Sequence, residues 1–429
     1  MKASFKSLIV KILIAESRIL LRRHKPTVIA ITGNVGKTTT KDAIFAALKN
    51  SVHARKSEKS FNSEIGVPLT VLGLSNAWSN PFLWLKNIID GLFTALFSSE
   101  YPEVLILEAG IDRPGDMQKL SEWIKPDIVV LTRLPSVPVH VEFFSTPEAV
   151  AEEKMKLVSA MKPDGVFIYN HDDTIIQDRL DEVLQRSIGF SRYLSSQFTG
   201  AHDRVVYQDN LPVGVEFDIT NNKDVYQVRL AGTVGTQHVY ACAAAMAVAS
   251  ALDVPLKEAA ASLKELRTPN GRMRIIPGIK ATTILDDTYN SSPAASEQAL
   301  QSLNEIKYAK RKIVVMGDML ELGRFSSEQH QKIGTRIPSV AKVLITIGVR
   351  ARKIAEGALM GGMPESNIFQ YDDVNRAGKE LQNMLQPGDV VLVKASQGIR
   401  AERIVEEIMQ SPEQAENLLV RQDRIWKFK

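Results

Sequence analysis

The chain has 429 residues, is 44% hydrophobic, and carries a formal net charge of only +4 with a single cysteine. That length allows two or three domains, and the composition excludes a disulfide scaffold, a disordered chain and a general nucleic-acid surface. One cysteine, Cys242, in an Ala-rich run is expected to be a small core residue, and its isolation fits a reducing, cytoplasmic compartment.

The charge is uneven. Residues 1–25, MKASFKSLIVKILIAESRILLRRHK, hold seven Lys/Arg against one glutamate and predict a basic amphipathic helix. Leu8, Ile9, Ile12, Ile19 and Leu20 are apolar, while Lys11, Glu16 and Arg18 interrupt any continuous span. The stretch is too charged to cross a bilayer, and no small-residue cleavage site follows. Two readings stand: packing on the first domain, which is favoured, or peripheral contact with an anionic membrane.

Next comes VIAITGNVGKTTTK, residues 28–41, around which the chain is organised. Val28 to Ile31 predict a buried parallel strand. Gly33, Asn34, Val35 and Gly36 then form a tight turn, and Lys37, Thr38 and Thr39 open a helix through Leu48. Such a strand–turn–helix aims backbone N–H groups and a helix N-terminus at one point, which makes an anion site. Lys37 is expected to neutralise nucleotide phosphates and Thr38 to ligate Mg²⁺. Ile31 stands where the usual pattern has glycine, so the loop is a shortened variant.

Strands and helices alternate from there. Trp78 to Phe97 predicts an amphipathic helix, followed by the strand EVLILEAG, a helix from Met117, DIVVLTRL, a helix near Pro147 to Met161, and GVFIYN. Alternation of this kind implies a mostly parallel sheet with helices on both faces. Residues 203–232 predict a hairpin, and two helices, Val239 to Leu252 and Leu256 to Leu266, complete the unit. RTPNGRMR, residues 267–274, predicts a hinge, and TTILDD, KIVVMGD, VLITIG, NIFQY and DVVLVKAS predict a second, smaller Rossmann-like domain. The expected organisation is a basic helix over 1–25, a nucleotide-binding α/β domain over 26–268 and a second α/β domain over 269–429.

Several residues are candidates for chemistry. Glu108 ends a strand at the edge where ligands collect in open α/β sheets, and a carboxylate there can hold the Mg²⁺ that Thr38 touches. His140 follows another strand and is expected at the same edge; taken alone it reads as a hydrogen-bonded structural histidine. Lys154, on the next helix, reads by itself as an ordinary solvated lysine. Asp286 and Asp287 close the first strand of the second domain ahead of Tyr289 and Asn290, and are expected to serve a ligand, a metal or a turn. Arg272, in the hinge, is positioned to reach a phosphate across the cleft on domain closure.

These segments together resemble the Mur ligases, ATP-dependent amide-forming enzymes of peptidoglycan synthesis. The resemblance rests on ITGNVGKTTTKDA, NSEIGVPLT, LEAGIDRPGDM, the His140 to Lys154 spacing, NHDD, GRMR, LDDTYNSSP and GDMLELG, spread over most of the chain. It is nearest to the branch that adds D-Ala-D-Ala to a UDP-MurNAc-peptide, and it implies those two substrates. It further implies that Lys37 and Thr38 bind ATP phosphate and Mg²⁺, and that Glu108 and His140 complete the metal sites. It implies that Lys154 is carbamylated as a ligand for a second Mg²⁺. Arg272, Asp287, Tyr289 and Asn290 would face the nucleotide, and Asn62 the muramoyl-peptide.

Departures from the family pattern are also legible. Only residues 1–25 precede the ATPase strand, where relatives usually open with a UDP-sugar-binding domain, so that recognition is expected from another surface, a partner or a different substrate. Met155-Lys156 stands for Gly-Glu, Ala241 for an asparagine near the nucleotide, and Ser291-Ser292 for Ala-Asn, with the neighbouring histidine displaced to His238. Two rival readings follow: a Mur-type ligase acting on a folate-polyglutamate or amino-acid-polymer carboxylate, and a non-catalytic ATP-binding scaffold.

Overall fold

The computed structural model describes residues 3–57, 60–78, 80–222, 224–423 and 426. Two sheets organise it. The first has nine strands in the order β2-β3-β1-β4-β5-β6-β7-β8-β9. They are β1 (Thr27–Thr32), β2 (Ala54–Lys56), β3 (Val104–Glu108), β4 (Ile128–Leu131), β5 (Val166–Asn170), β6 (Arg186–Ser191), β7 (Phe198–Gln208), β8 (Leu211–Asn221) and β9 (Asp224–Ala231). β1 lies between β3 and β4, parallel to both, so the loop after it opens at the sheet's carboxyl edge, where strand order reverses.

The antiparallel part is longer than the expected hairpin. β8 and β9 are the predicted pair, and β7 precedes them in the same ladder. Asp209 and Asn210 join β7 to β8, both with positive φ (50° and 63°). Two consecutive left-handed residues match the right-handed twist of the flanking strands, and Asp and Asn tolerate that conformation well.

The second sheet has the order β10-β11-β15-β12-β13-β14. Its strands are β10 (Arg274–Gly278), β11 (Thr282–Asp287), β12 (Arg311–Gly317), β13 (Val343–Ile347), β14 (Ile368–Tyr371) and β15 (Asp389–Lys394). Only β10 runs antiparallel. Each strand of KIVVMG, VLITI and DVVLVK is apolar on both faces because helices cover both, so no alternation survives in the sequence.

Helix α1 (Ala3–His24) precedes β1, and α2 (Lys37–Leu48) follows it. Then come α3 (Gly66–Leu72), α4 (Pro81–Phe97), α5 (Asp116–Ser121) and α6 (Pro147–Ser159). Ile9, Leu13 and Leu20 of α1 are buried with Val28, Leu105 and Leu107 of the sheet and with α3. The packing reading of this segment therefore holds for one face of the helix. The Ala-rich helix Gln237–Ala251 packs on α2, and Cys242 lies at its buried centre, where desolvation pushes the thiol well above its ordinary range. No helix among the described residues is long and apolar enough to cross a membrane.

Candidate active site

The loop between β1 and α2 is built by contacts to the residues that follow β4. Thr132 Oγ1 donates to the Val35 carbonyl at 2.8 Å, and the Asn34 N–H donates to the Arg133 carbonyl at 2.8 Å. Gly33 has φ +135°, and a Cβ there would stand 2.1 Å from Thr132 Oγ1, so only glycine fits. Gly36 caps α2 with φ 90° and no side-chain partner, leaving the first N–H groups of the helix free for an anion. Lys37 Nζ donates to the Gly33 carbonyl at 2.9 Å, which holds it over the loop. Burial pulls its pKa down, against the attraction of Glu108.

Beside the loop is a cluster centred on Glu108, which is buried. Thr38 Oγ1 donates to Glu108 Oε2 at 3.0 Å, while Ser60 Oγ and Asn62 Nδ2 donate to Oε1 at 2.7 and 3.0 Å. Ser60 has no counterpart among the expected residues. The loop carrying it is fixed by Lys41, whose buried Nζ donates to the Ser57 carbonyl at 2.8 Å. Asn62 is held in turn by Gly110, whose N–H donates to the Asn62 carbonyl at 2.8 Å.

Lys154 lies on α6 and is buried. Desolvation drives its pKa well below the ordinary lysine range, and the nearby Lys37 charge adds to that, opposed by Asp112 and Glu153. Among the described residues its Nζ has no hydrogen bond or ion pair. Glu153 is turned away, accepting from the N–H groups of Met117 and Gln118 at 2.9 and 3.3 Å and pairing with Lys156 at 2.7 Å.

Among the described residues His140 shares no hydrogen bond or ion pair with Glu108. Its Nδ1 is 2.7 Å from Glu321 Oε2, and its Nε2 is 3.8 Å from Asp112 Oδ1. Asp112 and Glu321 lie in motifs the sequence singled out, LEAGIDRPGDM and GDMLELG, yet neither residue stood out there. Asp112 influences Lys37, Lys154 and His140 together.

The second sheet brings its residues to the same cleft. Arg272 reaches close enough to Lys37 to oppose its charge and stacks over the Tyr289 ring, 4.0 Å from the guanidinium carbon to the centroid. Gly271, with φ +68°, lets the Tyr289 backbone approach within 2.8 Å of a would-be Cβ. Asp287 pairs with the buried Lys394 at 2.6 Å, and the same amine donates to the Asn290 carbonyl at 2.9 Å. Lys394, at the end of β15, is a further residue that sequence reading missed. Asp286 faces the interior instead and accepts from the Thr288 N–H and hydroxyl.

Two cavities flank these groups. One of 530 Å³ runs from Gly36, Thr40 and Arg133 past Asp172 and Tyr240 to Gln298 and Arg336 of the second unit. Tyr240, hydrogen-bonded to Asp172 at 2.8 Å, lines it, whereas Ala241 is buried. His238 is buried on Thr233 Oγ1 at 2.7 Å, and desolvation lowers its pKa to about 4, so it is a neutral core histidine. A second cavity of 440 Å³ is lined by Asn62, Asp112, Arg113 and Trp123, with Lys6, Val10 and Ile14 of α1 as a wall.

Among the described residues no three His, Cys, Asp or Glu side chains converge on a metal-binding point. The observed donors fit a cation shared with phosphate: one hydroxyl, one carboxylate, and a buried Asn34 amide without a hydrogen bond at the loop.

Residues 85–249 match the model of the Mur ligase middle domain, and residues 271–397 that of the Mur ligase glutamate ligase domain. The UDP-N-acetylmuramoyl-tripeptide–D-alanyl-D-alanine ligase of Bacillus subtilis (strain 168) is 29% identical over 388 residues, covering 90% of this chain and 76% of that protein. The ligase of the same name from Mycobacterium leprae (strain TN) is 28% identical, covering 87% and 71%. The structure of the MurF ligase from Thermotoga maritima in complex with ADP superposes with a TM-score of 0.76 at 25% identity, over 96% of this chain and 85% of that one.

Proposed function

From the premise that this chain belongs to the Mur ligase family, we propose that it is an ATP-dependent ligase joining the carboxylate of a UDP-MurNAc-peptide to the amine of D-Ala-D-Ala. The observation that carries the reading is the Thr38–Glu108–Ser60–Asn62 cluster, set directly beside the phosphate loop and opening toward Asn62 and the second cavity.

In this reading Gly33, Asn34, Val35, Gly36, Lys37, Thr38 and Thr39 cradle the ATP phosphates, and Arg272, Asp287, Tyr289 and Asn290 face the nucleotide from the second unit. Thr38 and Glu108 would hold one Mg²⁺, and His140 with a carbamylated Lys154 a second. Bound Mg²⁺ supplies charge neutralisation on the phosphate oxygens. Lys154 suits carbamylation because a buried, neutral amine keeps the lone pair that attacks carbon dioxide.

The substrate carboxylate, positioned by Asn62, attacks the γ-phosphorus and displaces ADP, giving an acyl phosphate. The dipeptide amine then adds to the acyl carbon, and the tetrahedral intermediate expels phosphate to leave the amide. Lys37 and Arg272 are the cations that screen charge on the transferring group, and the chain otherwise acts by holding reactants in line.

The test is ADP release with ATP and Mg²⁺, adding UDP-MurNAc-tripeptide and D-Ala-D-Ala separately and together, with mass spectrometry of the product. Release that needs both substrates and yields the amide supports the reading. ATP binding without release under any combination would overturn it and favour another carboxylate substrate or a scaffold role.

A further inference from the structure

We propose that α1 and α4 together form a docking surface for an anionic lipid leaflet. α4 is packed the opposite way from an ordinary surface helix. Its inner face is made of Trp84, Asn87, Gly91 and Ala95, of which the last two are small enough to admit α1 closely. A Cβ on Gly91 would stand 2.3 Å from Glu16 Oε2, and Arg23 Nη1 donates to the Ala95 carbonyl at 3.4 Å. The large apolar residues face out. Phe82, Leu85, Ile89, Phe93 and Leu96 follow one another at helical spacing, and Phe82, Ile89 and Phe93 are 81%, 58% and 65% exposed. Soluble surfaces rarely leave such a stripe uncovered. The only charges on α4, Lys86 and Asp90, pair with each other at 2.7 Å and leave no net charge against the stripe.

α1 supplies the complementary half. Lys11, Arg18, Arg22 and Arg23 are exposed, and Leu8 and Ile19 lie exposed among them, whereas the one carboxylate of the helix, Glu16, is buried toward α4. The solvent side of this helix pair is therefore aromatic and aliphatic beside a strip of cations. That combination matches acyl chains beneath anionic headgroups. It disfavours a second copy of the chain, because a two-fold contact through α4 would bring the two cationic strips together. With no spanning helix among the described residues, the geometry points to a helix lying in the interface plane.

The experiment is sedimentation of the full chain with vesicles of phosphatidylcholine alone or with about 30% phosphatidylglycerol. The expected result is at least tenfold tighter partition onto the anionic vesicles, weakening severalfold as salt rises from about 0.1 to about 0.5 M. Ile89→Ser with Phe93→Ser should lower the bound fraction about tenfold while ATP binding is retained, and Lys11→Glu with Arg22→Glu should abolish the anionic preference. Should the double serine variant fail to fold, Phe97→Cys carrying an environment-sensitive dye gives a second reading: a blue shift on adding anionic vesicles is expected. The native Cys242 is buried and leaves the new thiol as the reactive one. No sedimentation, no blue shift, or equal salt-independent binding to both vesicle types would overturn the proposal. So would a dimer in light scattering that Ile89→Ser with Phe93→Ser dissolves, which would assign the face to a second copy.

Discussion

His140 Nδ1 lies 2.7 Å from Glu321 Oε2, joining the loop after β4 to the loop after β12. The two loops also dock through their backbones, with the Glu142 N–H donating to the Glu321 carbonyl at 3.4 Å. This is a direct link between the carboxyl edges of the two sheets, and it spans the cleft that the proposed chemistry uses. The His140 ring holds the Glu321 carboxyl below its ordinary range. A depressed carboxylate pKa contributes stability that is present above the unfolded value and lost as pH falls through the folded one.

His140→Ala and Glu321→Gln are therefore expected to be non-additive. A double-mutant cycle on unfolding free energy should give a coupling of about 0.5–1 kcal/mol, small because Glu321 is partly open to water. The coupling should fade as pH falls through the depressed folded value of the Glu321 carboxyl, where the carboxylate loses its charge. A coupling that persists there would show that packing, not charge, joins the loops.

Lys37→Ala and Thr38→Ala each remove a group of the phosphate loop, and Thr38→Ala also removes a hydrogen bond to the buried Glu108. Turnover should fall by roughly 10³-fold in each, with the melting temperature nearly unchanged in Lys37→Ala and modestly lowered in Thr38→Ala. Ligation retained by the Lys37→Ala protein would remove the phosphate-screening role from this residue.

Lys154 should form a carbamate. Because burial lowers its pKa, the neutral amine exists at pH values where an exposed lysine is fully protonated. With ¹³C-bicarbonate, a carbamate carbon signal is expected in the wild type and absent in Lys154→Ala. Ligase activity should drop about 10²-fold in that variant or on depletion of carbon dioxide. A wild-type spectrum without the signal would leave Lys154 as a buried structural amine.

Asp286 is buried, and desolvation raises its carboxyl to about 6. The folded state then binds more protons than the unfolded state between about pH 4 and 6, so stability falls as pH rises through that window. A shift of this size corresponds to roughly 3 kcal/mol. Asp286→Asn should flatten the melting temperature against pH over that interval, and an unchanged profile would place the titration elsewhere.

The amino-acid order by itself determines the local parts of this protein. The phosphate loop is legible because strand, glycine turn and helix N-terminus are contiguous, and each needs only near neighbours: Gly33 and Gly36 for positive φ, Lys37 and Thr38 for the helix start. Both sheets are legible for the same reason, since strands such as VLILE, IVVL and VLITI are short apolar runs between turn signals. β2, β6 and β10 escaped because they carry little apolar pattern: ARK, RSIGFS and RIIPG find their places only by pairing with strands already formed.

What tertiary structure alone decides is which distant groups meet and which face of a helix is covered. Ser60 and Glu108 are 48 residues apart and Asp287 and Lys394 are 107 apart, so no periodicity connects them. α4, expected from its sequence to be amphipathic, is apolar nearly all round, so its composition favours neither side. The small Gly91 and Ala95 let α1 approach closely enough to bury that face, and close packing against them leaves Phe82, Ile89 and Phe93 in the open.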